Sequence, residues 1–148
     1  MYNTVLVPLD GSQRAEVILP QVENLALQFK SKVILLQVVE PPIYPAQGGP
    51  DGRHEYLIEF KQKQDETTAY LVGIQQGIQN KGIGASCVVE QGAVVETIIS
   101  VAQREKADLI AIASHGRSGL SRVFYGSVAA GVLQKIDRPL LVIRTRNV

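Results

Sequence analysis

A chain of 148 residues with 45% hydrophobic content has the material for one ordinary domain and is too short for two large ones. Its formal net charge is +1, and its 15 basic residues are scattered rather than massed, so no electrostatic footprint for nucleic acid or an anionic membrane is present. One cysteine, Cys87, excludes an intramolecular disulfide and a cysteine-rich zinc site, and His54 and His115 have no metal-ligand spacing.

The chain opens directly on a strand-like run, Thr4–Leu9 (TVLVPL), with no charged leader before it. No apolar run approaches the roughly 20 residues of a bilayer span, so the expected compartment is the cytoplasm. Ala15, Ile18, Leu19, Val22, Leu25, Ala26 and Phe29 then recur at helical spacing as one apolar stripe. Pro20 falls inside that stripe and is expected to kink the helix or remove one hydrogen bond. Lys32–Val39 (KVILLQVV) is a second strand. Pro41 to Gly52 contains four prolines and three glycines and is expected to be a long flexible loop without regular structure. From Glu55 to about Asn80 the pattern is helical, weakened at its centre by Gly73 and Gly77.

A weaker strand signal, Ala85–Glu90, follows the turn at Lys81–Gly84. Val94, Ile98, Val101 and Ala102 form a short helical stripe. Leu109–Ala113 (LIAIA) is the next strand, Val128, Val132, Leu133 and Ile136 mark a last helix, and Leu140–Ile143 (LLVI) a last strand. The strands are rich in β-branched residues and lack clean alternation, the pattern of strands buried on both faces. Alternation of strand and helix through five strands implies an α/β fold, a parallel open sheet with helices on both faces. In such sheets ligands bind beyond the carboxyl ends of the strands, where strand order reverses.

Two loops that follow strands carry chemistry. The first, Pro8-Leu9-Asp10-Gly11-Ser12, leaves two readings open for Asp10: a ligand contact, to a hydroxyl, an amino group or a cation, or a helix cap shared with Ser12. The second runs Ala113-Ser114-His115-Gly116-Arg117-Ser118-Gly119 and returns at Gly126-Ser127. Small residues there allow close backbone approach, and successive N–H groups make an anion-binding concavity. Ser127 is placed to cap the last helix, whose N-terminus favours an anion, and Arg117 and Arg122 add positive charge. The segment is neither a Walker A loop nor Gly-x-Gly-x-x-Gly, and a glycine-rich β–α connection also occurs for purely structural reasons. His115 has no base–acid arrangement and is read as ordering the loop or touching a ligand. Cys87 is read as a small buried hydrophobe rather than a redox centre. Asp108 precedes its strand and belongs to the opposite end of the sheet. Glu40 and Glu90 end strands on the ligand edge without forming a catalytic set.

These residues together resemble the universal stress protein family over essentially the whole chain. Pro8 to Ser12 is similar to the family's Pro-x-Asp-Gly-Ser, and Leu35-Leu36-Gln37-Val38-Val39 to its Leu-Leu-His-Val-Val. Ala113-Ser114-His115-Gly116, nine residues, then Gly126-Ser127 resembles its Gly-x-x-Gly, nine residues, Gly-Ser/Thr signature, and Arg138 to Arg144 its last strand. The resemblance implies a single Rossmann-like domain over residues 1–148, of the adenine nucleotide alpha hydrolase type, with the first and fourth strands side by side.

It further implies an adenine nucleotide, ATP or ADP/AMP, with Mg²⁺. Pro8, Asp10 and Val38 would line the base and ribose pocket, Val38 through its backbone. Ala113 to Gly116 would pass beneath ribose and phosphates, with Arg117, Ser118 and Gly119 continuing the loop. Gly126, Ser127 and Val128 would hold the triphosphate. A homodimer through Leu140–Ile143 is implied as well, since an uncovered edge strand invites a partner. Ala113 replaces the first signature glycine; its methyl group either crowds the ribose or is absorbed by extended backbone. Gln37, where the family commonly has histidine, is expected to lie outside the cradle. The expected function is ATP binding in stress response or signalling, with slow hydrolysis or none. The alternatives are an interaction module without nucleotide and a phosphotransferase-type enzyme. A response-regulator receiver is set aside because its clustered acids and lysine are missing.

Overall fold

The computed structural model describes residues 1–41, 49–114 and 126–144. The elements are β1 (Thr4–Leu9), a 3₁₀ turn (Ala15–Ile18), α1 (Leu19–Phe29), β2 (Lys32–Val39), α2 (Gly49–Gln79), β3 (Ala85–Gln91), α3 (Val94–Arg104), β4 (Leu109–Ser114), α4 (Ser127–Lys135) and β5 (Leu140–Arg144). The strands form one five-stranded sheet in the order β3-β2-β1-β4-β5, every neighbouring pair parallel. The α/β alternation legible in the sequence is the observed architecture. The order grows outward from β1 to β3 and then returns to β4 beside β1, so the reversal lies between β1 and β4.

The absence of clean alternation has its physical cause in a core on each face. Val5, Val7, Leu9, Val33, Leu35, Leu109, Ala111 and Ala113 pack with Ala15 and Ile18 of the 3₁₀ turn, Val22 and Ala26 of α1, and Leu71 and Ile78 of α2. On the other face Leu6, Ile34, Leu36 and Ile110 pack with Ile98, Val101 and Ala102 of α3 and Val132 of α4. Period-two side chains thus serve two cores, and both must be apolar. At the amino end of the sheet, Asp108 accepts hydrogen bonds from the backbone N–H groups of Asn3 (2.8 Å) and Thr4 (3.0 Å), tying β1 to β4. Asp108 is therefore a structural acid at the end remote from the ligand edge, as the sequence order implies.

Several expectations are corrected. The Ala15–Phe29 stripe is a 3₁₀ turn followed by α1, and Pro20 stands in the first turn of α1, where its missing N–H has no intrahelical partner to lose. Residues 49–52 are the first turn of α2 rather than loop, because a proline is tolerated there; the remainder of that expected loop, residues 42–48, lies outside the described residues. The helix expected through Gly73 and Gly77 is present, burial of Leu71 and Ile78 outweighing their weak propensity. Leu133 is 53% exposed on the outer side of α4, and Ile136 lies just past its end.

The 31 residues of α2 reach about 46 Å, against about 23 Å for the seven residues of β3. The amino-terminal half of α2 therefore projects past the carboxyl edge of the sheet. Deeper along the same helix, the Tyr70 hydroxyl is buried without a hydrogen bond of standard geometry. Burial, then the nearby Glu16 and Asp10 carboxylates, push its ionisation well above the usual tyrosine range. An unpartnered buried hydroxyl costs stability, so Tyr70→Phe is expected to leave stability unchanged or raise it by up to about 1 kcal/mol in urea denaturation. A loss larger than that would show the hydroxyl bonded to Glu16 instead.

Candidate functional site

The carboxyl ends of β1, β2 and β4 open into a cleft of about 1240 Å³. Its apolar wall is formed by Pro8, Leu36, Val38, Val94, Ile98 and Ile112, with Val128 and Ala129 from α4. Most of these belong to the core on the α3–α4 face, so the wall is continuous with packed structure and rigid. The rest of the lining is mixed: Asp10, Ser12, Gln13, Arg14, Gln37, Glu40 and, from α2, Lys63 supply polar groups beside Leu9, Ala15, Val39 and Ala113. The cleft thus lies at the sheet edge at the reversal point, with lining residues drawn from both faces of the sheet.

The turn after β1 is held by its own side chains. Asp10 Oδ1 accepts from the Ser12 N–H (2.9 Å) and from the Ser12 hydroxyl (2.6 Å), and Ser12 Oγ accepts from the Ala15 N–H (3.2 Å). Gly11 between them has φ +87°, a conformation that favours glycine. The capping reading of Asp10 and Ser12 is therefore realised, and Asp10 stands exposed at the cleft as well.

Across the cleft, α4 begins at Ser127 with Gly126 as the residue before it, φ 79° and ψ 152°. That region of backbone space is essentially glycine's alone. Ser127 was expected to cap this helix; it is instead the first helical residue, exposed, and no side chain caps the end. The first-turn N–H groups of α4 have no acceptor within the helix and are at the cleft, where Gly126, Ser127 and Val128 line the wall. Ala113 is paired in β4 opposite Ile143 and 5% exposed, its methyl group packed in the core with Ala15 and Leu9. Extended backbone therefore absorbs the methyl group. Ser114 ends the strand, buried. His115, Gly116, Arg117, Ser118, Gly119 and Arg122 lie outside the described residues.

Pro8, Asp10, Val38, Ala113, Gly126, Ser127 and Val128 are thus brought to one cleft from four stretches of chain, the ends of β1, β2 and β4 and the start of α4. Glu40 lines it too, whereas Glu90 is engaged with Arg104 (2.8 Å) and is not among the lining residues. Gln37, expected to lie outside, lines the cleft. The signal that finds it is period two along β2: Leu36 and Val38 point to one face, so the one uncharged polar residue of the run points to the other. Arg14 and Lys63 were not singled out; both depend on how distant elements pack. Cys87 is half-buried, its thiol donating to Gln75 Oε1 (3.0 Å), and burial pushes its ionisation up. Among the described residues no group of three or more His, Cys, Asp or Glu side chains is arranged to hold a metal ion, and no helix is long and apolar enough to cross a membrane.

Comparison with known proteins agrees with this architecture. The model of the universal stress protein family matches residues 1–144. The universal stress protein MJ0577 of Methanocaldococcus jannaschii is 27% identical over 158 residues, covering 99% of this chain and 98% of that protein. Its solved structure superimposes with a TM-score of 0.81 at 28% identity over 100% of this chain and 99% of the other. The universal stress protein Sll1654 of Synechocystis is 30% identical over 144 residues, 97% of this chain and 86% of its own. The UspA structure from Lactobacillus plantarum, at 23% identity, shares the fold with a TM-score of 0.81 over 97% and 98% of the two chains. With the match running from the first strand through the last, the chain belongs to the universal stress protein family.

Proposed function

We propose that the cleft binds ATP with its Mg²⁺, ADP and AMP being shorter members of the same ligand class, and that the bound state serves stress response or signalling. The observation that carries this reading is the two-sided cleft at the strand-order reversal: an apolar wall for a base beside an uncapped helix N-terminus for phosphate. The volume suits a nucleotide, and Gly126 keeps a side chain away from the N–H groups. Ala113 does not favour the reading without nucleotide, because its methyl group is in the core. Two proteins of this fold, 22% and 20% identical with TM-scores of 0.65 and 0.61, were solved in complex with cAMP and dAMP respectively. Those ligands belong to those proteins and lend support only through the shared fold.

Mg²⁺ would enter with the triphosphate, with Asp10 and Glu40 the acids at the cleft. Asp10 already holds Ser12, Glu90 pairs with Arg104 and Asp108 is at the far edge, so slow hydrolysis or none is proposed. Calorimetric titration of the chain with ATP and Mg²⁺ tests the reading. Micromolar-range binding is expected, and no heat from well-folded protein would sink it.

The proposal extends to a cytoplasmic homodimer that does not contact nucleic acid or membrane. Its support is β5, an edge strand whose Leu140, Leu141, Val142 and Ile143 are all partly exposed. Val142→Lys is expected to convert the dimer to monomer in sedimentation equilibrium, since two like charges would meet across the pairing. A wild type that sediments as monomer would overturn the dimer.

A further inference from the structure

Gln37 is the residue of the cleft whose chemistry is incomplete. Its Oε1 is buried and has no hydrogen-bond partner among the described residues. Buried polar atoms in native proteins are nearly always paired, so an orphaned acceptor at a cleft wall is a place where a donor is missing. The side chain sits under the Asp10–Gly11 turn: a Cβ on Gly11 would stand 3.6 Å from Nε2 and 4.0 Å from Oε1. In register, Gln37 lies beside Leu9 of β1 and Val89 of β3, on the face opposite Leu36 and Val38.

Resting on the nucleotide reading, we infer that the Gln37 carboxamide hydrogen-bonds a ribose hydroxyl of the bound nucleotide and makes the site selective for ribonucleotides over deoxyribonucleotides. Chemistry decides among the parts of the ligand. Phosphate oxygens at neutral pH accept hydrogen bonds and cannot satisfy an orphaned acceptor. The nucleotide reading puts the base against Leu36 and Val38, which lie on the other face of the sheet from the Gln37 side chain. The sugar joins the two, and its hydroxyls both donate and accept. They can therefore meet either end of a carboxamide, whose terminal torsion is broad and roughly two-fold. A half-turn of that torsion exchanges the two ends and puts Oε1 about where Nε2 now stands, beside Gly11 at the cleft that Gln37 lines.

The test is a matrix of affinities measured by calorimetry: ATP, 2′-deoxy-ATP and 3′-deoxy-ATP against wild type, Gln37→Met and Gln37→Leu, each checked for folding by circular dichroism. One neutral hydrogen bond makes wild type prefer ATP over at least one deoxy analogue by about tenfold, and both variants should lose that preference. A residue that only supports the Gly11 turn would weaken all three ligands alike and leave the ratio intact, which overturns the assignment. So does a wild type that binds the three equally. If wild type binds none of them, the nucleotide reading itself fails and this inference falls with it. The ligand-side comparison needs no variant, so a misfolded substitution does not block the decision.

Discussion

Gly126→Val is expected to abolish measurable ATP binding while leaving the chain folded. Two effects add. Gly126 has φ 79° and ψ 152°, a backbone conformation valine adopts only at a cost of order 1–3 kcal/mol. Relieving that strain turns the first peptide groups of α4 away from the cleft, and the new side chain stands where a phosphate would approach them. Loss of two hydrogen bonds to a charged group at roughly 1.5–3 kcal/mol each corresponds to a fall in affinity on the order of 100-fold or more. Calorimetry on the variant beside wild type reads it, with circular dichroism confirming the fold. Retention of affinity within about tenfold would mean the phosphate lies elsewhere.

The second large effect is on stability. Leu35→Ala should cost about 2–5 kcal/mol, a large fraction of the roughly 5–15 kcal/mol that holds an ordinary domain together. Leu35 is fully buried at the centre of β2, registered with Val7 of β1 and Cys87 of β3, and covered by the α1–α2 layer. Its removal leaves a cavity that two flanking strands and a helix layer cannot collapse into. Leu133→Ala is the matched control. Leu133 is half-exposed, and its truncation should stay within about 0.5 kcal/mol. Urea denaturation with unchanged slope separates the two. Equal effects would show that the inner and outer faces of α4 and β2 are misassigned.

The contrast between those two leucines shows how far local pattern reaches. The three inner strands, β1, β2 and β4, were legible because strands covered on both faces must be apolar almost throughout, and runs such as LIAIA satisfy little else; the edge strands β3 and β5 are half-exposed, and β3 gave the weaker signal. The ends of elements were less legible. Pro20 and the residues 49–52 looked like interruptions, yet a proline costs nothing in a helix's first turn, and only knowing where the turn begins reveals that. Leu133 fits the apolar period of its helix and still faces outward, because α4 is short and packs through Ala129 and Val132.

The cleft divides in the same way. Asp10, Gly11, Gly126 and Ser127 announce themselves, since a turn and a helix start impose local demands on residue type. Even there the local rule misplaced one role: Ser127 begins the helix rather than capping it. Gln37, Arg14 and Lys63 carry no local signal that they share a cleft. Their meeting depends on the β1–β2 register and on α2 being long enough to overreach the sheet.

By itself, then, the sequence determined the class of fold, the edge of the sheet that carries chemistry, and the glycines that leave backbone bare, because each is a property of one short segment and its period. Only the tertiary structure decided that apolar and polar residues of separate elements line one cleft there, that Glu90 is bound to Arg104, and that Gln37 is left with an acceptor unmet among the described residues. Those facts depend on residues from different elements, and packing of the two layers onto the sheet is what brings them within reach.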